Sequence, residues 1–314
     1  MHQNVLSAPL ARQRGAALLV FMLIALIAAL SLLLNRLALR SAGSSNQATM
    51  NTLVLAKDAL IGWSATNATA PGRLPCPEDP SRIGTTTEGQ AKSSCGNSLQ
   101  VGRLPWRTLG LPLLRDDAGE PLWYALSAGF RSSPINGNSA GQLTVDSVPN
   151  RAIAIIFSPG TVLSGQSRPI PTSALSPDIM QYLEGFNLSG NGSFVTSGAL
   201  NSLNDRLVTI TREDLFRVVN RRILSELRGD DGTGLVSYYN ANGNTFPPAG
   251  SNLTTLFPPL LSTATTNLMA NNNWYSLLSY SVSPDLKTAT LTITAPNALS
   301  CKITPSPSTP PICQ

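Results

Sequence analysis

The sequence predicts an α+β protein in which a long N-terminal membrane-spanning helix carries a globular head with antiparallel β-sheet. Three observations support this fold class: an uncharged apolar run near the N-terminus, an amphipathic helical pattern after it, and several strand-like segments in the remainder. The composition agrees. Glycine and proline occur 24 times each among 314 residues, which indicates many turns, and 42% hydrophobic residues are enough for a sizeable core.

Charged side chains are scarce and histidine is nearly absent. Charged residues make up 12% of the chain, against roughly a quarter in ordinary soluble domains. The net charge is +5, but the 22 basic residues are scattered, whereas a nucleic-acid interface needs them clustered on one face. With His2 as its only histidine, the chain has few means for metal or acid–base chemistry. We expect no catalytic residue, no metal, no cofactor and no nucleic-acid partner.

The first predicted element is a transmembrane helix over 16–35. Ala16–Leu34 is a run of 19 residues without a charged side chain. As a helix it would span about 28 Å, which is close to the hydrocarbon thickness of a bilayer. Arg12 and Arg14 precede the run and are expected to stay on the cytoplasmic side.

The processing of this N-terminus has three interpretations. A cleaved secretory signal would need a small-residue site, and the best candidate, 41–43, lies beyond two arginines. An uncleaved signal anchor is the second interpretation. The third comes from a resemblance: Arg14 and Gly15 directly abut the apolar run, and this junction resembles the type IV prepilin signal, which implies cleavage after the glycine on the cytoplasmic side.

A helical stem over 36–70 is predicted to continue into the head. Its apolar residues recur at three- and four-residue spacing, as on one face of an amphipathic helix: Met50, Leu53, Val54, Leu60 and Ile61. Pro71 and Gly72 end the pattern. Either one continuous helix runs from the membrane segment, or two helices meet at a joint near 43–45. The head then occupies 71–314, outside the cytoplasm.

The head contains strand patterns. Arg151–Phe157 is a β-branched run that predicts a buried strand. The segments 271–282 and 289–295 alternate apolar and polar residues, which predicts a terminal hairpin.

The strongest helical pattern in the head covers Arg212–Arg228. Thr211 and Asp214 have the spacing of an N-terminal capping pair. Apolar residues at helical spacing form its buried face, and its arginines are expected on the solvated face: Arg217, Arg221, Arg222 and Arg228.

The tract RDDAGEPLWY carries the most specific motif of the head. Asp116, Gly119 and Pro121 predict a tight turn that starts the strand Leu122–Leu126. This tract resembles the Asp-x-x-Gly-Asn-Pro turn of major pseudopilins, with Glu120 in place of the asparagine. With the glycine before the apolar run, the sequence resembles a minor pilin or pseudopilin of the type IV pilus and type II secretion superfamily.

The resemblance implies a prepilin-type leader over 1–15. Prepilin peptidase would cut between Gly15 and Ala16, and the new N-terminus would be methylated. Other pilin or pseudopilin subunits would pack against the N-terminal helix. The protein would be a single-pass inner-membrane protein contacting lipid, with its head in the periplasm or on an extracellular filament. The family's glutamate at the fifth mature position, which pairs with a neighbouring subunit, is here Val20. This departure suggests a subunit at the filament tip.

A weak internal similarity has two interpretations. The stretches 53–77 and 234–250 both run from a helical pattern through an aromatic residue and a polar turn to a proline. Either the head consists of two pilin-like halves, 71–200 and 201–314, or the stretches share only turn chemistry.

Four cysteines lie beyond the apolar run: Cys76, Cys95, Cys301 and Cys313. An even number in an exported domain predicts disulfides, with three possible connectivities. The local choice closes loops of 19 and 12 residue steps, each stabilising the fold by roughly 3 kcal/mol. A metal site is the alternative, but no Cys-x-x-Cys spacing and no nearby histidine supports it.

These patterns predict a structural subunit and not an enzyme. The alternative is a signal-anchored periplasmic enzyme such as a cell-wall hydrolase, which would need two carboxylates at a defined separation. The candidate carboxylates are more typical of turns: Asp116, Asp117, Glu120, Asp230 and Asp231. A disulfide-stabilised adhesive head is a third hypothesis and differs from the first in its partner.

Overall fold

The computed structural model describes residues 30–31 and 46–313, apart from 97, 173, 189, 199–201, 230–231, 250–251 and 304–311. The chain divides into two compact units, Met1–Ala48 and Thr49–Gln314. In the first unit the described residues, 30–31 and 46–48, are helical. The second unit is the head.

The head is built from helices and short strands. The helices are α1 (46–65), α2 (Arg212–Arg228), α3 (Gly234–Ala241), α4 (Leu253–Leu256) and α5 (Thr263–Asn271). The strands are β1 (Gln100–Arg103), β2 (Trp123–Leu126), β3 (Leu143–Val145), β4 (Val148–Ala152), β5 (Ala154–Ser158), β6 (Ser193–Phe194), β7 (Arg206–Ile210), β8 (Leu278–Val282), β9 (Ala289–Ile293), β10 (Leu299–Ile303) and β11 (Ile312–Cys313). Short 3-10 turns lie at Pro80–Arg82, Ala128–Phe130, Ile179–Gln181, Gly185–Leu188, Pro258–Leu260 and Trp274–Leu277.

The strands form three sheets. The order β1-β2-β5-β7 makes an antiparallel sheet at the centre of the head, and β11-β10-β9-β8 makes a second antiparallel sheet. The third sheet, β4-β3-β6, pairs β3 with β4 antiparallel and with β6 parallel. The head therefore has the predicted α+β class with antiparallel sheets.

The other part of the predicted fold class is wrong: the structure does not show a long apolar N-terminal helix. No helix among the described residues combines the length and the apolar character needed to cross a bilayer. The segment predicted to span, 16–35, lies outside the described residues except for 30–31. The predicted joint near 43–45 also lies outside them.

The described part of the stem helix ends within the limit that Pro71 and Gly72 set. Helix α1 ends at residue 65, and turns follow where the prediction carried the stem to 70. The side chain of Asn67 accepts hydrogen bonds from the backbone N–H groups of Thr69 and Ala70. Such local side-chain bonds compete with helical ones and so favour the turn.

The central sheet is buried on both faces because side chains alternate along a strand. Tyr124 and Ile156 belong to the core that packs against α1, α2 and the second sheet. Trp123 and Phe157, their chain neighbours, belong to a second core shared with β3, β4 and β6.

The run predicted as one strand over Arg151–Phe157 divides into two. It breaks at Ile153, so that β4 and β5 lie in different sheets. A continuous apolar run fits two short strands in two buried sheets as well as it fits one strand in a single sheet. The residue pattern therefore does not mark the break.

The predicted terminal hairpin is present as β8 and β9, paired from Leu278–Ile293 to Val282–Ala289. It is part of a four-stranded sheet. The residues before β8 that were included in the predicted strand fold instead into the end of α5 and a 3-10 turn.

Helix α2 occupies the predicted range. Its capping pair is reciprocal: the Thr211 hydroxyl accepts from the Asp214 N–H, and the Asp214 carboxylate accepts from the Thr211 N–H. The prediction that all its arginines face water is wrong for Arg222. Its guanidinium donates to the carbonyls of Ala65 and Asn67, where α1 has ended and backbone oxygens lack helical partners.

Candidate functional site

The predicted processing residues cannot be placed in space. Gly15, Ala16 and Val20 lie outside the described residues. The same holds for Asp230 and Asp231, two of the carboxylates considered for hydrolytic chemistry.

The first two cysteines are paired with each other, as in the local connectivity. Cys76 is bonded to Cys95, with their Cα atoms 5.9 Å apart. Cys301 is also disulfide-bonded, and the β10–β11 register sets its Cα directly opposite that of Cys313.

Asp116 joins the predicted turn to the central sheet. Its Oδ1 accepts hydrogen bonds from the backbone N–H groups of Ala118 and Glu120 at 3.0 and 2.9 Å. Its Oδ2 accepts from the Ser158 hydroxyl and the Gly160 N–H, both at 2.9 Å. Four donors thus converge on one buried carboxylate. The side chain is structural, because both oxygens are engaged in holding two loops together.

Gly119 and Pro121 complete the turn. Gly119 has a φ of +83°, a conformation that costs glycine little and other residues considerably more. Pro121 precedes β2, where its fixed φ suits the extended chain. The predicted motif therefore acts as a turn that anchors β2.

The same turn contacts the stem helix. The Thr49 hydroxyl donates to the Asp117 carboxylate and accepts from the Asp117 N–H, both at 3.0 Å. This reciprocal pair fixes the orientation of α1 relative to the turn.

Helix α1 has two contrasting apolar faces. Leu53, Ala56 and Leu60 are fully buried in the main core. On the outside, Met50, Val54 and Leu55 have exposed fractions of 36, 45 and 48%. We call these three side chains the outer stripe of α1.

Polar contacts fix α1 against α2. The Lys57 ammonium lies 2.8 Å from the Asp214 carboxylate. A groove of about 480 Å³ lies between the helices, with Val218 on its α2 side and Ile61 on its α1 side. Val218 is itself exposed. Apolar surface outside the core is therefore present on both helices.

A buried ion pair lies on another part of the head. The Nε of Arg103 lies 3.1 Å from Glu78 Oε2, a contact whose geometry falls short of a hydrogen bond. Glu78 Oε1 accepts from the Gly89 N–H at 2.6 Å, and Arg103 also donates to Glu88. Burial raises the pKa of Glu78 from 4.5 to about 7, although the charge of Arg103 opposes this.

Two cavities adjoin Arg103. One has a volume of about 280 Å³ and is lined by Glu78, Trp123 and Asp178 among others. The other has a volume of about 450 Å³, and its wall includes Arg168 and Glu120. Gly119 and Pro121 also line the larger cavity, so the predicted turn forms part of its wall.

Sequence reasoning missed these ionisable groups. Glu78 and Arg103 lie 25 positions apart in the sequence, and a second buried pair, the carboxyl groups of Glu184 and Asp205, lies 21 positions apart. No spacing rule links residues at such separations, because β-sheet pairing and loop packing bring them together. Within the described ranges, no group of three or more His, Cys, Asp or Glu side chains is placed to hold a metal ion.

Comparisons with protein-family models, with curated proteins and with solved structures each found no match.

Proposed function

We propose that this chain is an exported structural subunit of the minor pilin or pseudopilin kind and not an enzyme. Prepilin peptidase would process it between Gly15 and Ala16, and the mature protein would assemble with other pilin subunits. The filament is a type IV pilus or a type II secretion pseudopilus. The observation that best supports this proposal is the outer stripe of α1.

The outer stripe is suited to contact with another protein. Its three side chains remain partly exposed although the opposite face of the same helix is fully buried. Burying a fully exposed side chain of this kind contributes about 1.5–3 kcal/mol, so burying the fraction that remains exposed contributes roughly half of that or less per side chain. The stripe therefore offers neighbouring subunits a favourable apolar contact on a helix that the head holds firmly.

The proposed location is the inner membrane before assembly. The uncharged sequence Ala16–Leu34 supports contact with membrane lipid. The disulfide between Cys76 and Cys95 supports export of the head, because disulfides persist in oxidising compartments. The head would then lie in the periplasm or on the extracellular filament.

Position within the filament follows from Val20. A tip subunit has no subunit above it, so it does not need the glutamate that the family carries at this fifth mature position. If sheared filaments contained this chain in amounts equal to the major subunit, the tip position would be wrong.

The direct test is mass analysis of the mature N-terminus in cells with and without prepilin peptidase. The mature chain is expected to begin at Ala16 and to carry a methyl group. When the peptidase is missing, the uncut precursor is expected to accumulate. A Gly15→Ala variant tests the site itself and is expected to remain unprocessed. An intact Met1 in peptidase-containing cells, or a start near Ser44, would refute the proposal.

A cell-wall hydrolase is the second candidate, and one observation favours it. Glu78 and Asp178 line the same cavity of about 280 Å³, and the pKa of Glu78 is raised to about 7, as in a general acid. Against this, both Glu78 oxygens already face Gly89 and Arg103. Release of soluble fragments from purified peptidoglycan by the wild type, abolished in both E78Q and D178N, would favour the enzyme.

A further inference from the structure

Two buried carboxyl groups meet just before β7. Glu184 and Asp205 are only 7 and 5% exposed. The backbone N–H of Glu184 donates to Asp205 Oδ2 at 3.0 Å, and the Asn187 side-chain amide donates to the same oxygen at 3.1 Å. Asp205 Oδ1 is buried and accepts no hydrogen bond from an N–H donor of the described residues. An ionised Asp205 would therefore have a buried, unsatisfied oxygen, which is costly.

Glu184 has the better partners of the two. Its Oε1 accepts from the Gln166 side-chain amide at 2.6 Å, and its Oε2 accepts from the Asn204 N–H at 3.1 Å. The Arg168 guanidinium lies 3.9 Å from Oε1. These contacts favour Glu184 as the charged member and Asp205 as the neutral one.

The electrostatic surroundings agree with this assignment. Burial raises the pKa of Asp205 well above its ordinary value, and the charge of Glu184 and a side-chain hydrogen bond with Glu184 raise it further, while the hydrogen bonds from the Glu184 backbone N–H and the Asn187 side chain oppose the shift. The ionisable group nearest the pair is Arg168, Glu120 and Tyr182 lie around Arg168, and Arg206 is next along the chain. Arg168 is shared, since it also lies 3.4 Å from Glu120 and stacks on the Tyr182 ring.

The pair holds a loop through two of that loop's residues. Gln166 binds Glu184 by its amide nitrogen, and its oxygen accepts from the Leu163 N–H and from Arg168. Arg168 also donates to the Gly160 carbonyl at 2.7 Å. The 160–168 loop therefore closes on the head through the Glu184 carboxylate.

We propose that Glu184 and Asp205 form a proton-dependent clasp, which holds the 160–168 loop closed while Asp205 is neutral and loosens it when Asp205 ionises. Ionisation releases the Asp205 proton to solvent and leaves two carboxylates facing each other. The repulsion disfavours the closed arrangement, and Arg168, which belongs to the loop, moves away from Glu184 and Glu120 as the loop loosens.

The consequence is a change at the 450 Å³ cavity and on the surface beside it. Arg168 and Glu120 both line that cavity, so a shift of Arg168 leaves a free carboxylate on its wall. The chain just beyond the loop exposes Ile170 at 87%. The clasp would thus control how an apolar segment is presented, whether or not the chain assembles into filaments.

The test is hydrogen–deuterium exchange of the full chain, read by mass spectrometry between pH 5 and 9 and corrected for intrinsic exchange. The reporting amides are those of Leu163, Ser167, Glu184 and Asn204. Their protection is expected to fall by up to about tenfold per pH unit, and to level off once Asp205 is ionised in the closed state. In D205N, which keeps the neutral shape, protection at these amides should not change with pH.

Two comparisons make the experiment decisive. E213Q removes an exposed carboxyl on α2 and should retain the wild-type response. E184Q removes the repelling charge and should reduce the size of the response. Wild-type protection that is independent of pH would overturn the clasp even if a variant failed to fold. A D205N profile matching that of the wild type would overturn it as well.

Discussion

The ammonium group of Lys57 lies 2.8 Å from the carboxylate of Asp214. Asp214 is at the same time the capping partner of Thr211 at the start of α2. One carboxylate therefore takes part in capping the start of α2 and also forms an ion pair with α1. Helices α1 and α2 both contribute to the main core, so this contact fixes the relation between two elements that the core requires.

Replacing Asp214 should destabilise the head more than replacing Lys57. D214A removes the ion pair and the carboxylate half of the capping pair, and we expect it to lower the free energy of unfolding by about 2 kcal/mol. K57M removes only the partly exposed ion pair and should cost about 1 kcal/mol or less. Denaturant unfolding measures both. Equal losses in the two variants would contradict the dual role.

The same contact predicts sensitivity to acid. Burial raises the pKa of Asp214, but the hydrogen bonds from Lys57 and Thr211 outweigh it and leave the pKa below 3.8. A lowered carboxyl pKa gives stability that is present above pH 3.8 and is lost as the pH falls through the folded-state value. K57M should lose less stability on acidification than the wild type, as measured by unfolding at pH 6 and at pH 2–3.

Asp116 should be the most sensitive residue of the predicted turn. An asparagine at this position keeps one accepting oxygen and turns its amino group toward donors. D116N therefore leaves two of the four donors unsatisfied, and we expect a loss of about 2–4 kcal/mol of stability. D117N is the matched control. Asp117 is exposed, so its replacement should lower the free energy of unfolding by less than about 1 kcal/mol. A neutral D116N would show that the turn does not depend on this carboxylate.

Glu78 should make the head less stable as the pH rises toward neutrality. Its pKa is raised from 4.5 to about 7, so its favourable contribution is complete below pH 4.5 and is lost as the pH rises to about 7. The loss is at most about 1.4 kcal/mol per pH unit. E78Q does not titrate and should flatten the stability profile in that window. An unchanged slope would mean that Glu78 is ionised throughout.

The outer stripe of α1 should be required for assembly and dispensable for folding. V54R introduces a charge on an exposed position, so we expect the unfolding free energy to change by less than about 0.5 kcal/mol. Recovery of the chain in sheared filaments should fall strongly. M180R, at an exposed apolar position distant in sequence, is the control and should assemble normally. Normal assembly of V54R would exclude the stripe as a subunit contact.

The local features of the head could be predicted because each depends on neighbouring residues. Helix α2 and its Thr211–Asp214 cap follow from periodicity and from a side chain that reaches three residues along the chain. The Asp116 turn and the β8–β9 hairpin are local in the same sense. The single strand predicted over Arg151–Phe157 failed because its break at Ile153 depends on which sheets the two halves join.

By itself, the sequence determined the α+β class of the head, its strongest helix, its anchored turn and its surface poor in charge. These follow from composition and short-range spacing, which act before the chain has folded. Tertiary structure alone decided that Arg222 binds backbone carbonyls and that Glu184 faces Asp205. Those outcomes depend on segments distant in sequence meeting in a buried environment, where desolvation and the available partners set the charge of each group.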